Sequence, residues 1–588
     1  MSDRMINLAI DGRNVTVPEG TGLLEACRAA GADVPTLCWL EGLTPSASCG
    51  LCVVEIEGGK ALARSCVTKA AEGMKVRTTS PRVMSARRMA IELLLANHPS
   101  ECLSCSRNGS CELQSMAERL GVREHRFPKT KKSLGMDYST EGIVRDNDKC
   151  ILCGRCVAVC AEIQGVSAIQ FAGRGIRTRV ATFLDKGLAS SACVQCGQCS
   201  VVCPTGAITE KDETRLIWKD IHSPAKTVVV QTAPAIRASL GEALGLPPGS
   251  LVTGKMVAAL RRLGFDRVFD TQFTADLTIM EEGTELLARM TKGGVLPMIT
   301  SCSPGWINFI EGFYPRLLPH LSSCKSPQQM FGAVAKTFFA ERSGIDPAEM
   351  SVVSIMPCTA KKRETRRPEM NAAWRWWEEK GRKTEEPYFD VDYALTTREL
   401  ARMIREAGID IASLDEEPFD DPLGNSTGAA TIFAATGGVM EAALRTVYEI
   451  VEKKPLAEIE FSPLRGLEGI KEASVMLGGK EVRVAVAHTL KNARILLDEI
   501  KAGASPYAFI EIMSCPGGCV GGGGQPFLPT DAKRLARARA IYSEDRKLPL
   551  RKSHENPAIT EIYKDFFGEP LGHLSHELLH TEYRERKF

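Results

Sequence analysis

Three short segments of this 588-residue chain combine thiols with residues that let the backbone fold tightly around a bound group. The glycine-rich segment, residues 513–526, contains Cys515 and Cys519. The other two segments surround Cys302 and Cys358. Glycine permits close backbone approach and positive φ angles, and thiolates bind soft metals. The pattern predicts one inorganic centre held jointly by the three segments.

Cysteine usage along the whole chain also favours metal binding. Twenty-one cysteines occur and most are clustered, which in a reducing compartment indicates metal ligands rather than disulfides. Nineteen belong to motifs, and the remaining two, Cys27 and Cys324, are expected to be ordinary buried small side chains. Four histidines near the C-terminus share no ligand-like spacing, so no metal site is predicted among them. They are His554, His573, His576 and His580.

Composition and charge exclude several classes of protein. The formal net charge is +2 without a basic or acidic block, so no nucleic-acid partner is predicted. No apolar run approaches the roughly 18 residues of a membrane span. Residues 1–4 lack the layout of a signal peptide and a twin-arginine pair, so a cytoplasmic location is expected.

The strongest local motif lies in the second quarter of the chain. Two runs of four cysteines have the C-x2-C-x2-C-x3-C spacing of bacterial two-cluster ferredoxins. In that fold the fourth cysteine of each run binds the other cluster. One predicted [4Fe–4S] ligand set is therefore Cys150, Cys153, Cys156 and Cys203. The other is Cys193, Cys196, Cys199 and Cys160.

Two further thiol sets lie nearer the N-terminus. The first suits a [2Fe–2S] cluster and resembles the β-grasp ferredoxin domain of NAD-linked hydrogenases and respiratory complex I. Zinc is the alternative, although zinc sites usually pair two C-x2–4-C knuckles. This set is Cys38, Cys49, Cys52 and Cys66. The second set resembles the [4Fe–4S] module of the same families, which has one histidine and three cysteine ligands. Its implied ligands are His98, Cys102, Cys105 and Cys111.

The three segments introduced first closely resemble the cysteine motifs of the [FeFe]-hydrogenase catalytic domain. That family carries the H-cluster, a [4Fe–4S] cubane joined by one cysteine sulfur to a di-iron unit with CO, cyanide and a bridging dithiolate amine. The resemblance implies that Cys358, Cys515 and Cys519 bind the cubane, with Cys519 as the bridge. It also implies that Lys361 hydrogen-bonds a cyanide. Four further residues are implied to line the di-iron pocket: Pro234, Gln328, Met356 and Met513.

One residue departs from the family pattern. The motif usually reads Thr-Ser-Cys-Cys-Pro-x-Trp, whereas this chain has Cys302-Ser303. The favoured alignment is in register: Cys302 takes the place of the family's proton-relaying cysteine, and Ser303 that of the fourth cubane ligand. Serine is a poor ligand for so soft a site. Three alternatives stay open: Ser303 coordinates through oxygen, Cys302 shifts to become the ligand, or the cubane is weakened or absent.

A chain of acid and hydroxyl groups could carry protons to this centre. Glu282, Glu285 and Arg289 are spaced to share one helix face. Such a face is ordinarily a solvated surface, but the family resemblance implies a path in the order Cys302, Glu282, Ser322, Glu285 and Arg289. Carboxyl, hydroxyl and thiol groups can each donate and accept a proton.

The elements that position these residues divide into several domains. Alternation around Asp11-Gly12 predicts a hairpin, periodicity predicts helices near 85–96 and 396–407, and alternating strands and helices beyond 225 indicate an α/β domain. The predicted fold is multidomain, α+β and α/β. Its parts are a β-grasp [2Fe–2S] ferredoxin domain (1–80), a His- and Cys-ligated [4Fe–4S] module (81–135), a two-[4Fe–4S] ferredoxin domain (136–218), an α/β H-cluster domain (225–530) and a helical small-subunit-like tail (531–588).

The complete pattern is similar to the catalytic subunit of NAD(P)-linked, multi-subunit and electron-bifurcating [FeFe]-hydrogenases. It implies reversible hydrogen oxidation and proton reduction, with one [2Fe–2S] and three accessory [4Fe–4S] clusters relaying electrons. No G-x-G-x-x-G stands between a strand and a helix, so flavin and NAD(P) are expected on partner subunits, beside a ferredoxin-like subunit. Free ferredoxin and maturation proteins are further expected partners. Two alternatives remain: a hydrogen sensor with the same cofactor, and an iron–sulfur scaffold or electron-transfer protein without the di-iron unit.

Overall fold

The N-terminal domain is organised around a five-stranded sheet. The computed structural model, which describes residues 4–124, 126–382, 384 and 386–588, begins with the predicted hairpin. Asp11 and Gly12 have φ of 49° and 81°, as a type I′ turn requires. The first strand pairs in parallel with Lys75–Arg77, and helix Leu23–Ala29 packs on the apolar face. The strands in sheet order are Arg13–Pro18, Met5–Ile10, Lys75–Arg77, Val53–Ile56 and Ala63–Arg64.

A small helical module follows this sheet. Helix Pro81–Ala96 begins four residues before the predicted start, because Ser80 accepts the Val83 N–H at 3.3 Å and proline fits the first helical turn. Its buried Arg87 donates to two carbonyls of the cysteine loop of the N-terminal domain, at 2.8 and 2.9 Å. A second helix, Glu112–Arg119, packs beside it. The module is therefore fixed to the first domain.

The next domain has short strands and short helices around two groups of thiols. Gly154 and Gly197 both have positive φ and directly precede the helices Arg155–Ala158 and Gln198–Val202. The helix Thr214–Ile221 ends the domain. The strands are Met136–Asp137, Ile143–Asp146, Gln170–Ala172, Arg179–Ala181 and Ile208–Glu210.

Two four-stranded sheets form the centre of the largest domain. The strands of the first are all parallel, in the order Arg267–Asp270, Thr227–Thr232, Met350–Met356 and Tyr393–Thr396. The second has three parallel strands and an antiparallel edge, in the order Met298–Ile299, Phe509–Met513, Lys480–His488 and Ile470–Leu477. Every residue of Met350–Met356 and Phe509–Met513 is buried, as expected where helices cover both faces of a parallel sheet.

Long helices cover these sheets. Thr271–Lys292 begins at Asp270, whose carboxylate accepts the N–H of Gln272 at 3.1 Å. Thr397–Glu406 begins at the predicted capping box, in which Thr396 and Glu399 each accept the backbone N–H of the other. The other helices of eight or more residues in this domain are Thr253–Leu263, Pro304–Phe313, Pro327–Val334, Ala372–Glu379, Gly438–Glu452 and Leu490–Lys501.

The C-terminal tail packs against the largest domain. Its helices are Asp531–Lys547, Pro557–Ile562 and His573–Leu579. Just after the last helix, His580 forms an antiparallel bridge with Cys324. The N–H of Thr581 donates to the carbonyl of Ser323 at 2.8 Å. Within the described ranges, no helix combines the length and the apolar character needed to cross a bilayer.

Candidate active site

The carboxyl ends of the parallel strands of both sheets point at one cavity. This is the edge at which open α/β sheets place their ligands. The loops that follow four strands each contribute one predicted site residue: Pro234, Cys302, Cys358 and Cys515. The rest of the predicted pocket lines the same cavity: Ser303, Gln328, Met356, Lys361, Met513 and Cys519.

The donor groups of this cavity fit an iron–sulfur cofactor. Cys358, Cys515 and Cys519 line it together, and their neighbours are mostly apolar. Burial raises the pKa of the Cys519 thiol to about 12 and raises that of the other two thiols. A metal cofactor that binds these cysteines as thiolates must therefore displace the thiol protons. The positive charge of its metal ions then balances the negative charge of the buried thiolates. Soft sulfur ligands in a dry cavity match iron–sulfur chemistry.

The glycine run after Cys519 is closely packed against two other loops. A Cβ added at Gly522 would lie 2.1 Å from the carbonyl oxygen of Pro357. One added at Gly523 would lie 2.1 Å from the carbonyl oxygen of Cys196. Only glycine fits at these positions, because real Cβ atoms do not approach an oxygen so closely. The run thus joins the Cys358 loop to the loop of an accessory thiol set.

Cys302 and Ser303 contact different surroundings. Ser303 has extended backbone, with φ of −102° and ψ of 102°, and neighbouring side chains of an extended chain point in opposite directions. The Ser303 Oγ lies 2.9 Å from the Ser514 Oγ and accepts the Ser514 N–H at 3.3 Å. Burial raises the pKa of the Cys302 thiol, and the carboxyl of Glu282 raises it further. Ser303 therefore faces the Cys515 loop, whereas Cys302 is close to Glu282.

Lys361 is held firmly at the cavity wall. Its Nζ donates to the Ser326 Oγ at 2.7 Å, to Glu364 Oε2 at 2.8 Å and to the Cys302 carbonyl at 3.3 Å. Gln328 donates to the same Glu364 oxygen at 3.0 Å. Glu364 and Ser326 were not among the site residues predicted from the sequence. The i, i+3 spacing of Lys361 and Glu364 on a helix was the available signal.

The five residues of the predicted proton path are neighbours, and three of them are joined by hydrogen bonds. Ser322 donates its hydroxyl proton to Glu285 Oε2 at 2.9 Å, and its hydroxyl lies near the carboxyl of Glu282. At the outer end, Arg289 donates to Glu285 Oε1 at 2.6 Å and to the Leu321 carbonyl at 2.7 Å. The three groups in the middle are buried, so this helix face is an interior surface and not a solvated one.

Burial raises the pKa of Glu282 to about 8, and the nearby carboxylate of Glu285 adds to this rise. Glu282 is therefore mainly protonated at neutral pH. A serine hydroxyl has a single proton, and that of Ser322 is donated to Glu285. Its lone pair can then accept the acid proton of Glu282. Within this series, the donation from Ser322 to Glu285 has a defined direction.

The eight ferredoxin-type cysteines line two cavities. One, of about 420 Å³, is lined by the predicted set Cys150, Cys153, Cys156 and Cys203. The other, of about 500 Å³, is lined by Cys160, Cys193, Cys196 and Cys199. Each cavity thus combines three cysteines of one run with the fourth of the other, as the ferredoxin pattern predicts. Cys196 also lines the active-site cavity, so the two sites share a wall.

Hydrogen bonds fix the ferredoxin-type domain against the active-site loops. Thr359 donates to the Gln195 carbonyl at 2.7 Å, and Gln198 donates to the Gly521 carbonyl at 2.9 Å. Away from the cavity, buried Arg398 donates to Glu210 Oε2 at 2.6 Å. The relative position of the two thiol sites is therefore set by direct contacts.

The first N-terminal thiol set is also gathered, and the histidine of the second set is fixed in orientation. Cys52 Sγ lies 3.2 Å from Cys66 Sγ, and the thiol of Cys38 contacts those of Cys49 and Cys66. In the other set, the Nδ1 of His98 pairs with the Pro99 carbonyl at 2.9 Å. Its Nε2 is buried without a hydrogen-bond partner among the described residues.

The free Nε2 of His98 is what a metal ligand requires. Donation from Nδ1–H to a carbonyl leaves the Nε2 lone pair available, and burial lowers the pKa of His98, which keeps the ring neutral. The first N-terminal set and the orientation of His98 therefore fit iron–sulfur ligation.

Two expectations for residues outside the motifs were too simple. Cys324 is buried as predicted, but its thiol lies 3.9 Å from both Glu285 Oε2 and His580 Nδ1. His580, for which the sequence spacing predicted no ligand role, thus belongs to a cluster of potential metal ligands. Sequence spacing could not show this, because His580 is 256 residues from Cys324 and reaches it only through the bridge of the tail.

Family models match most of the chain. The model for the iron-only hydrogenase large subunit, C-terminal domain, matches residues 226–523, and that for the iron hydrogenase small subunit matches 531–586. Upstream matches are the 2Fe-2S iron-sulfur cluster binding domain at 3–81, the NADH-ubiquinone oxidoreductase-G iron-sulfur binding region at 87–126 and the 4Fe-4S dicluster domain at 149–207.

The chain belongs to the [FeFe]-hydrogenase family and is an oxidoreductase that acts on hydrogen. It is 48% identical to the NADP-reducing hydrogenase subunit HndD of Solidesulfovibrio fructosivorans, over 99% of both chains. It is 39% identical to iron hydrogenase 1 of Clostridium pasteurianum, over 99% of this chain and all of that one. A solved [FeFe]-hydrogenase HydA1 from Chlamydomonas reinhardtii covers 64% of this chain and 99% of its own, with 44% identity and a TM-score of 0.56. The expected family, enzyme class and multidomain iron–sulfur organisation are confirmed.

Proposed function

We propose that this chain is the catalytic subunit of a complex that exchanges electrons between hydrogen and NADP. The observation that supports this most is that Cys196 lines both the active-site cavity and the cavity of a thiol set that we propose holds an accessory cluster. A protein that only bound hydrogen would not need an electron-transfer site in contact with its hydrogen-binding cavity. The full-length similarity to an NADP-reducing hydrogenase subunit supports NADP as the final acceptor.

The proposed cofactors are one [2Fe–2S] cluster, three accessory [4Fe–4S] clusters and the H-cluster. The [2Fe–2S] ligands are Cys38, Cys49, Cys52 and Cys66, and the first [4Fe–4S] ligands are His98, Cys102, Cys105 and Cys111. The two ferredoxin-type clusters take the sets that line the two cavities. The five predicted domain ranges are proposed unchanged as the units that hold them.

For the H-cluster we propose the in-register arrangement, with Cys358, Cys515, Cys519 and Ser303 at the cubane. When bound, this cofactor supplies the iron centre at which hydrogen is split or formed. Extended backbone at Ser303 points its side chain away from that of Cys302. Exchanging their roles would require a one-residue shift, which would reverse both side chains. The Ser514 hydroxyl and amide at Ser303 Oγ are suited to stabilise a negatively charged oxygen.

Protons leave or reach the cavity through the chain's own side chains. The Cys302 thiol exchanges a proton with the carboxyl of Glu282, and the acid proton of Glu282 passes to the Ser322 hydroxyl as the Ser322 proton passes to Glu285. Arg289 holds the Glu285 carboxylate in place and lies at the outer end. Lys361, which Glu364 and Ser326 position, presents positive charge to the cofactor. Pro234, Gln328, Met356 and Met513 complete the wall and exclude water.

Electrons enter or leave through the opposite set of sites. The cluster at Cys196 is next to the active site, and the His98 and [2Fe–2S] sites lie farther along. Cys102 is exposed, and the adjacent Leu103 keeps 95% of its surface exposed. This favours the N-terminal sites as the docking end for flavin- and NADP-binding and ferredoxin-like partner subunits. Free ferredoxin is a second candidate at the same end.

The test is hydrogen turnover by anaerobically reconstituted protein loaded with the di-iron unit. We expect hydrogen evolution with reduced viologen, and infrared bands of CO and cyanide. Addition of a flavoprotein partner should then give hydrogen-dependent NADP reduction. Infrared bands without turnover would instead support a hydrogen sensor. Intact accessory clusters without either property would support a scaffold or electron-transfer protein.

A further inference from the structure

Three different metal-binding side chains meet where the tail crosses the catalytic domain. Glu285, Cys324 and His580 offer ligand atoms that all lie within 4.8 Å of one another, and all three side chains are buried. Cys324 Sγ is 3.9 Å from Glu285 Oε2 and 3.9 Å from His580 Nδ1. Cys324 and His580 have no part in the proposed iron–sulfur sites. We refer to these three residues as the tail cluster.

The spacing of the tail cluster suits a tetrahedral zinc ion. Zinc–sulfur bonds of about 2.3 Å and zinc–nitrogen or zinc–oxygen bonds of about 2.1 Å place tetrahedral ligand atoms about 3.6 Å apart. The two distances from Cys324 Sγ are within a few tenths of an ångström of this value. A small side-chain adjustment would therefore complete the site. Mg²⁺ and Ca²⁺ prefer oxygen ligands, so the thiol and imidazole select a thiophilic cation.

His580 is held in the orientation that zinc ligation needs. Its Nε2 lies 3.1 Å from Glu281 Oε2, and Glu281 accepts a further hydrogen bond from Leu571 N–H at 2.9 Å. A carboxylate at one ring nitrogen keeps the proton there and leaves the other lone pair for a metal. That other nitrogen, Nδ1, faces Cys324 and Ser323, whose Oγ is 2.9 Å away. Carboxylate–histidine pairs of this kind are the usual support of zinc-binding histidines.

The backbone also fixes the tail cluster. His580 and Cys324 form an antiparallel bridge, and the Lys325 N–H donates to the Leu579 carbonyl at 2.8 Å. Glu285 is fixed on the other side by Arg289, at 2.6 Å. The ligands thus come from three separate elements that are already in place, and little ordering is required when a metal binds.

We propose that the tail cluster binds Zn²⁺ and that the bound ion closes the proton path. The ion would displace the proton of the Cys324 thiol, which is released to solvent, and would bind Glu285 Oε2. That oxygen accepts the Ser322 hydroxyl at 2.9 Å, so zinc would compete with the hydrogen bond that carries protons. The binding site stands on its geometry alone, whereas the inhibition rests on the proposed proton path.

The binding test uses the complete, cluster-loaded enzyme equilibrated with Zn²⁺ alone and then desalted. We expect one additional zinc per chain by elemental analysis, with one sulfur neighbour near 2.3 Å in X-ray absorption spectra. Cys324→Ala and, independently, His580→Gln should each lose this ion. Cys27→Ala is the matched control, since Cys27 is also buried and outside the motifs, and it should keep the ion. Equal zinc retention by the native enzyme and both tail-cluster variants would overturn the site.

The inhibition test measures viologen-linked hydrogen oxidation and evolution with increasing Zn²⁺. We expect inhibition in both directions that a chelator reverses, and at least tenfold lower zinc sensitivity in Cys324→Ala, whose zinc-free turnover should equal that of the native enzyme. If one zinc ion binds per chain without inhibiting turnover, the proposal that zinc closes the proton path is wrong, but the zinc site itself stands. If the zinc-free native enzyme does not turn over hydrogen, the proposed function is refuted. The zinc site would still be tested independently, by the zinc content of the native enzyme and of the tail-cluster variants.

Discussion

Glu282→Gln separates the proton-carrying role of this residue from its role in packing. Glutamine has nearly the same shape as the protonated acid, which is the main form of Glu282 at neutral pH because its pKa is raised to about 8. The amide cannot take up and release a proton. Removal of a positioned proton-transfer group typically slows a reaction 10²- to 10⁴-fold. We expect at least a 100-fold loss of hydrogen turnover without loss of the fold.

The same substitution should alter how stability depends on pH. Glu282 has an ordinary pKa of 4.5 when unfolded and about 8 when folded, so between these values the folded state binds more protons. Stability from this group is complete below pH 4.5 and falls as pH rises through the window, by about 1.4 kcal/mol per pH unit. From pH 5.5 to 7.5 the loss is about 3 kcal/mol. Glu282→Gln should remove this dependence.

Two assays check both effects, with a matched control on the same helix. Asp276 is buried and has a pKa raised to about 7, but lies outside the proton path. Asp276→Asn should weaken the pH dependence of unfolding and keep turnover within about threefold of native. Calorimetry of the catalytic domain at pH 5.5 and 7.5 gives the stability, and viologen-linked hydrogen evolution gives the rate. Native-like turnover in Glu282→Gln would refute the path, and unchanged pH dependence would refute the raised pKa.

Three further substitutions test other parts of the assignment. Ser303→Cys should place a softer ligand at the cubane and change its midpoint potential, seen in redox-controlled infrared or EPR spectra; an unchanged potential would mean that residue 303 is not a ligand. His98→Cys replaces a neutral ligand by an anionic one and should lower the potential of that cluster by roughly 100 mV or more, whereas an unaltered EPR titration would exclude His98. Arg398→Met leaves buried Glu210 with less compensation and should destabilise the domain contact by about 3–5 kcal/mol, measured by calorimetry; a change below about 1 kcal/mol would show that the ion pair is dispensable.

Turns and helix caps of this fold could be predicted from sequence because they depend on residues that are close together in the chain. The Asp11-Gly12 turn and the capping box at Thr396 depend on residues at most three positions apart. The cysteine runs were equally informative, since their spacing is set by the dimensions of a cluster. Helix Pro81–Ala96 shows the limit, as its first turn was missed although Ser80 and Pro81 indicate it.

Contacts between distant segments could not be predicted in the same way. Lys361 was predicted to face a cofactor, but its partner Ser326, 35 residues away, emerged only in the structure. The bridge between Cys324 and His580 depends on where the tail crosses the domain. No periodicity in either segment encodes that crossing. Family resemblance supplied the proton path, while the pKa of Glu282 required knowledge of burial from every side.

The adjacent residues Cys302 and Ser303 divide two tasks through backbone geometry. Extended backbone turns one side chain toward Glu282 and the other toward the Cys515 loop. That loop region adjoins the accessory site, because a Cβ at Gly305 would lie 2.8 Å from Ser514 Oγ and 3.5 Å from the Cys196 Cβ. The proposed assignment thus has protons handled on one face of this short segment and electrons on the other. In the proposed in-register arrangement a serine at 303 changes the electron side alone, so the proton path should function as long as the Cys302 thiol stays beside Glu282.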